Sequence, residues 1–112
     1  TDLEESGVID GYTALLNPKK LNRDLLVYVQ GTFFEEDPAL KERFIFEVKL
    51  IPQITECHLM AGSYDFILKM LVSDLDEFHA IKTKYLTKEI GIKTLKSEVS
   101  LKTIKYTTEL PL

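Results

Sequence analysis

Thr55-Glu56-Cys57-His58-Leu59-Met60-Ala61-Gly62-Ser63-Tyr64-Asp65-Phe66-Ile67-Leu68-Lys69-Met70-Leu71-Val72 reads as two strands hinged at Ala61-Gly62-Ser63. Its second half is apolar at nearly every position, the pattern of a strand covered on both faces. At the hinge, a Gly, a small polar residue, an aromatic and an Asp put backbone amides and one carboxylate at the end of a sheet. A small ligand fits such a corner.

Working outward, Leu25 to Phe33 forms another strand with both alternating faces apolar. Asp37-Pro38 then announces a helix, because Asp can cap free amides and Pro suits the first helical position. Leu40, Phe44, Val48 and Ile51 recur at helical spacing as a core stripe, and Pro52 stops the helix. Beyond the central hairpin, Asp74 caps a second helix, with Glu77 three residues on as a variant capping box. Leu75, Phe78, Ile81, Tyr85 and Leu86 form its expected buried face, and Gly91 closes it. From Ile92 to Tyr106, Leu95, Val99 and Leu101 alternate with Lys96, Glu98 and Lys102 as in a strand, with a break near Leu101. A short tail follows from Glu109. At the other end, Asp2 to Gly7 has the look of a last helical turn closed by Gly, and Tyr12 to Leu16 that of a lead-in strand ended by Asn17-Pro18.

After the lead-in, the order strand, helix, strand, strand, helix, strand predicts an α+β fold of the ferredoxin-like βαββαβ type. An antiparallel sheet then carries two helices on one face. The strands are apolar on both faces and the chain has no third helix to cover the other side. A second copy of the sheet is the simplest cover, so we expect a symmetric homodimer packed sheet face to sheet face.

At 112 residues the chain fits one domain. The formal net charge of -4 lacks the basic excess that phosphate contacts require, so the chain alone should not grip nucleic acid. The late lysines, Lys82 to Lys105, are interspersed with acids and form a solvated face. No apolar run approaches the ~20 residues of a membrane span, and no secretory signal opens the chain. The single cysteine cannot form an internal disulfide, which fits a reducing, cytoplasmic setting. Nucleotide-loop, zinc-protease and serine-hydrolase signatures are absent, so neither an enzyme nor a cofactor or metal site is expected. Cys57 and His58 are adjacent in a strand and point to opposite faces, which rules them out as a nucleophile-base pair. His79 faces away from the helical stripe. Asp74, Asp76 and Glu77 lie in a helix's first turn, where acids are electrostatically favoured without any function. Asp65 has no such explanation. Two readings stand for it: a cap for its own hairpin, or an acceptor for a ligand's ammonium group while amides around Gly62 donate to a carboxylate.

Leu3-Glu4-Glu5-Ser6-Gly7-Val8-Ile9-Asp10-Gly11-Tyr12, Thr13-Ala14-Leu15-Leu16-Asn17-Pro18, Glu56-Cys57-His58-Leu59 and Gly62-Ser63-Tyr64-Asp65-Phe66 together resemble the Lrp/AsnC feast/famine regulators, in the family's order. The resemblance implies the C-terminal effector-binding domain of such a regulator. Residues 1–11 would then be the remnant of a linker after a helix-turn-helix domain absent from this sequence, and residues 12–112 the effector-binding and oligomerisation domain. Family members pair through their sheets and often assemble four dimers into an octameric ring, with free amino acids bound between dimers. DNA would be reached only through the absent domain or a full-length partner. The family's Gly-x-aromatic-Asp signature falls on Gly62, Tyr64 and Asp65, with Ser63 between them in the effector loop. The strand around Ser97, Glu98 and Ser100 is expected as the facing wall. It departs from the usual Thr-aromatic pattern, and Glu98 there would favour a basic or polar amino acid or else point into solvent. Gln30 and Thr32 are expected contacts from a neighbouring dimer. Rival readings are an assembly module without a ligand and a small dimeric ferredoxin-like enzyme.

Overall fold

The strand Leu25–Phe33 (β1) lies at the centre of the computed structural model, which describes residues 25–34 and 37–111. Helix α1 (Pro38–Lys49), strands β2 (Ile54–Leu59) and β3 (Phe66–Val72), helix α2 (Leu75–Tyr85), a single 3-10 turn (Lys88–Ile90) and strand β4 (Ile92–Val99) follow. The expected helical turn at residues 2–7 and lead-in strand at residues 12–16 lie outside the described residues. The sheet order is β2-β3-β1-β4 with every neighbouring pair antiparallel. This is the ferredoxin-like βαββαβ arrangement the element order predicts.

Both helices start where local chemistry supplies acceptors for their free amides. Asp37 is extended and its Oδ1 accepts from the Ala39 N–H at 2.9 Å, with Pro38 at the first helical position. Asp74 Oδ1 accepts from the Glu77 N–H at 2.8 Å. The Glu77 carboxylate reaches back to the Ser73 N–H at 2.7 Å, one residue ahead of the cap. Its other oxygen accepts from Gln53 Nε2 at 2.9 Å, which ties α2 to the approach of β2. Pro52 follows α1 closely, as expected. Gly91 has φ 94°, and a Cβ there would lie 3.3 Å from the Leu40 Cβ, so a glycine closes the 3-10 turn.

Alternation then sorts the sheet into two faces. Val27 and Val29 of β1 and Phe66, Leu68, Met70 and Val72 of β3 are fully buried. They share one core with Phe44 and Val48 of α1 and Phe78 and Ile81 of α2, so both helices cover the same face. Phe33, Phe44 and Phe66 meet as a ring cluster with centroids 4.8–5.3 Å apart. Leu75 departs from expectation. It is half exposed, because it occupies the first helical position, ahead of the turn that lies on the sheet.

The other face of the sheet has no helix among the described residues. Registry places His58, Ile67, Gln30 and Lys96 in one row across it, and Glu56, Lys69, Tyr28 and Glu98 in the next. Leu26 and Leu71 continue its apolar component. The last strand, expected to run to Tyr106 with a break near Leu101, instead ends at Val99, and the Ser100 N–H makes its last pairing bond with the Leu26 carbonyl at 2.8 Å. Residues 101–111 run without regular structure, and the Tyr106 ring lies 5.7 Å from Lys69 Nζ, so the tail passes beside this open face. None of the described helices is long and apolar enough to cross a membrane.

Candidate functional site

The loop from Met60 to Asp65 sits where β2 hands over to β3, beside the far end of β1. Three hydrogen bonds made by Asp65 fix it there. The Asp65 N–H donates to the Gly31 carbonyl at 2.8 Å, and the Met60 N–H donates to the Asp65 carbonyl at 2.8 Å. The register of β1 against β4 shifts between Thr32 and Phe33, and the Phe33 N–H donates to Asp65 Oδ2 at 2.9 Å. The Asp65 carboxylate therefore accepts from β1 and not from its own hairpin, a structural partner that neither reading of Asp65 anticipated. Its other oxygen, Oδ1, bonds no described residue.

Gly31 allows the close approach at this corner. A Cβ there would lie 2.5 Å from the Thr94 carbonyl oxygen and 2.6 Å from the Phe66 ring. Gly62 has φ 149° with open space around it, so the backbone and not crowding requires glycine there.

In front of the loop lies an open cavity of about 110 Å³. Met60, Ala61, Tyr64 and Ile67 supply its apolar wall, and Gln30, Gly62 and Ser63 the polar remainder. Between the bonded amides of Met60 and Asp65, the N–H groups of Ala61, Gly62, Ser63 and Tyr64 donate to no described acceptor. Four consecutive free donors beside a cavity suit an anionic group, because unsatisfied amides gain most from a charged acceptor.

Four of the residues singled out from sequence, Gln30, Gly62, Ser63 and Tyr64, thus line one cavity, and Asp65 anchors the loop behind them. Thr32 lies on the open face next to Gln30's strand position, its hydroxyl 2.6 Å from that of Thr94. Ser97, Glu98 and Ser100 are not brought to this corner within one chain. Ser97 pairs with Val29, Glu98 with Tyr28, and Ser100 reaches Leu26, so β4 leads away from the loop. Ser97 and Glu98 also point to opposite faces. Glu98 is exposed on the open face. Sequence reasoning passed over Met60, Ala61 and Ile67. Ile67 pairs directly with Gln30, a fact of registry that no local pattern reveals.

The remaining reactive side chains do not converge. Cys57 faces the helices, half-buried, and burial pushes its thiol up to about 11. His58 lies on the opposite face, exposed, with Nε2 3.7 Å from Glu56 Oε1. His79 is exposed on α2, its ring 5.5 Å from that of Phe78. No group of three or more potential metal ligands occurs among the described residues.

Known proteins share this architecture. The Lrp/AsnC ligand binding domain matches residues 28–110. The leucine-responsive regulatory protein of Haemophilus influenzae is 36% identical over 110 residues, which is 98% of this chain and 66% of the relative. The chain therefore spans just under two-thirds of that curated relative. A crystal structure of a transcriptional regulator from Neisseria meningitidis in complex with L-methionine is similar at a TM-score of 0.82 and 28% identity, covering 97% of this chain and 70% of that one. An AsnC family transcriptional regulator from Agrobacterium tumefaciens is similar at a TM-score of 0.81 and 33% identity, covering 97% of this chain and 71% of that one. With its sheet order, its Gly62 to Asp65 loop and a match over most of its length, this chain belongs to the Lrp/AsnC ligand-binding domain family.

Proposed function

We propose that the chain is the amino-acid-sensing and oligomerising domain of an Lrp/AsnC-type transcription regulator, at work in the cytoplasm. A free amino acid occupies the corner at residues 60–64, its carboxylate on the free amides. The observation that carries this reading is that run of four unengaged N–H groups beside a cavity that Gln30 also lines. The L-methionine complex of the Neisseria meningitidis regulator supports the ligand class. The chain pairs sheet to sheet, and dimers assemble further, up to an octamer. A neighbouring copy closes the open side of each cavity, and the segment around Ser97, Glu98 and Ser100 is our candidate for that wall, with Thr32 beside it.

Effector binding shifts assembly only through its differential affinity for one assembly state over another. Where a helix-turn-helix domain is joined to such an assembly, DNA binding follows its state. Titration of the twenty amino acids by calorimetry, with light scattering on the same samples, tests this. At least one should bind and change the mass, and silence in both measurements across all twenty overturns the reading.

A second reading, an assembly module without a ligand, draws on the Asp65 bond to Phe33, which gives that carboxylate a structural purpose. An enzymatic reading has no comparable support. The Cys57 thiol is held protonated on the face opposite His58, and neither residue lines the cavity.

A further inference from the structure

Resting on the effector-site reading above, we propose that Met60 is an oxidation site through which peroxides weaken the corner's hold on its effector. The chain's sulfur atoms lie in Cys57, Met60 and Met70. The fold exposes them unequally. Met70 is at 0% exposure in the core, whereas Met60 stands at 49%, with its side chain lining the open cavity. Cys57 is half-buried against the helix face, and burial pushes its thiol up to about 11, so at neutral pH it lacks the thiolate that peroxides attack. A thioether has no proton to lose, and its reactivity follows access instead. Met60 is therefore the sulfur that a peroxide reaches first.

In the step itself, the Met60 sulfur lone pair attacks one oxygen of the peroxide. An S–O bond forms as the O–O bond breaks, and the sulfur gives up two electrons. With hydrogen peroxide, the departing hydroxide takes the proton of the transferred hydroxyl and leaves as water. The product is a sulfoxide, polar and chiral where the thioether was apolar and flexible.

Met60 shares the apolar wall of the cavity with Ala61, Tyr64 and Ile67. A sulfoxide oxygen in that wall is a strong acceptor, costly to cover unless a donor meets it. The unengaged donors of the same loop are the N–H groups of Ala61 to Tyr64, which the effector's carboxylate also requires. Oxidation thus replaces apolar wall with an oxygen that competes for those amides. The fold survives the change, because the Met60 N–H remains on the Asp65 carbonyl at 2.8 Å and the core sulfur of Met70 is untouched. A bound effector, and the neighbouring copy that closes the cavity, shield Met60, so peroxides act on the unoccupied corner.

Treatment with hydrogen peroxide, quenched by catalase and read by peptide mass spectrometry, tests the site. Met60 should be converted at least tenfold faster than Met70 in the folded chain, and the two rates should converge in urea. Equal rates in the folded chain overturn the inference. Calorimetry against the twenty amino acids, before and after full conversion of Met60, tests the consequence. Affinity for the tightest ligand should fall at least tenfold with circular dichroism unchanged, and should recover on treatment with methionine sulfoxide reductases. An affinity unchanged after full conversion overturns the inference while leaving amino-acid sensing intact. If none of the twenty binds before treatment, the effector-site reading falls and the inference with it. Met60→Leu carries no sulfur at this position, so peroxide should leave that variant's affinity at its own starting value. A tenfold loss in the treated variant assigns the effect to another residue and likewise overturns the inference.

Discussion

A methyl group on Gly31 would press on the Thr94 carbonyl oxygen at 2.5 Å and the Phe66 ring at 2.6 Å, and the first of these is backbone that cannot rotate away. Gly31→Ala should therefore destabilise the chain by ~1–3 kcal/mol, read as a lower midpoint in urea unfolding. Asp65 can be dissected by two substitutions. Asp65→Ala leaves the partly buried Phe33 N–H without its acceptor, for a loss of ~1–3 kcal/mol and a weakened effector response. Asp65→Asn keeps an acceptor in place and should lose less. If the Ala variant is as stable as the parent, the bond is not what holds the loop. Cys57 offers a pH test. Its thiol pKa rises from 9.0 to about 11 on folding, so the folded state holds the proton more tightly than the unfolded one. This contribution to stability is fully present below pH 9 and is lost as pH rises through 11. Native Cys57 should accordingly react slowly with thiol reagents at pH 8, and a rate equal to that of the unfolded chain would contradict its burial. At this scale Gly62 and Asp65 were legible because a hinge announces itself locally. Gly31 was not, because its constraint comes from residues distant in sequence.

Helix caps are the most local of structural devices, and both were readable from an Asp preceding the helical pattern. Asp74→Ala should cost about 1 kcal/mol by removing the acceptor for the Glu77 N–H, measured by thermal unfolding. Glu77→Ala should cost more than an exposed surface change, since its carboxylate bonds both Ser73 and Gln53 and so joins α2 to the chain entering β2. Strands were legible in type but not in registry, and the last one stops at Val99 short of the Tyr106 that alternation suggested. Hydrophobic alternation told which residues of β4 share a face. It could not tell that Glu98 pairs with Tyr28 or that Ser100 finishes beside Leu26, far from the loop. Both are set by long-range pairing, and a bulge between Thr32 and Phe33 alters that pairing locally. Leu75 shows the limit of helical periodicity, which assigns a face without knowing where the helix first touches the sheet.

For the molecule as a whole, the element order was enough to name the fold, because two interlocked βαβ units with crossovers of the usual hand put both helices on one face of an antiparallel sheet. The face that bears no helix among the described residues, with Leu26, Tyr28, Ile67 and Leu71 among its charged residues, is where we place the second copy. Tyr28→Glu should shift sedimentation equilibrium toward monomer while circular dichroism stays unchanged, and an unaltered mass would move the interface elsewhere. The sheet order also bears on how the chain reaches its native state. The β2-β3 hairpin is local and can close early, but Val27 waits for Val99 across most of the sequence. Contacts so distant slow the search, since loop entropy is lost before they form. Until β4 arrives, one side of β1 presents unpaired backbone groups to other nascent chains, so the interval before the last strand docks is when misassembly threatens most.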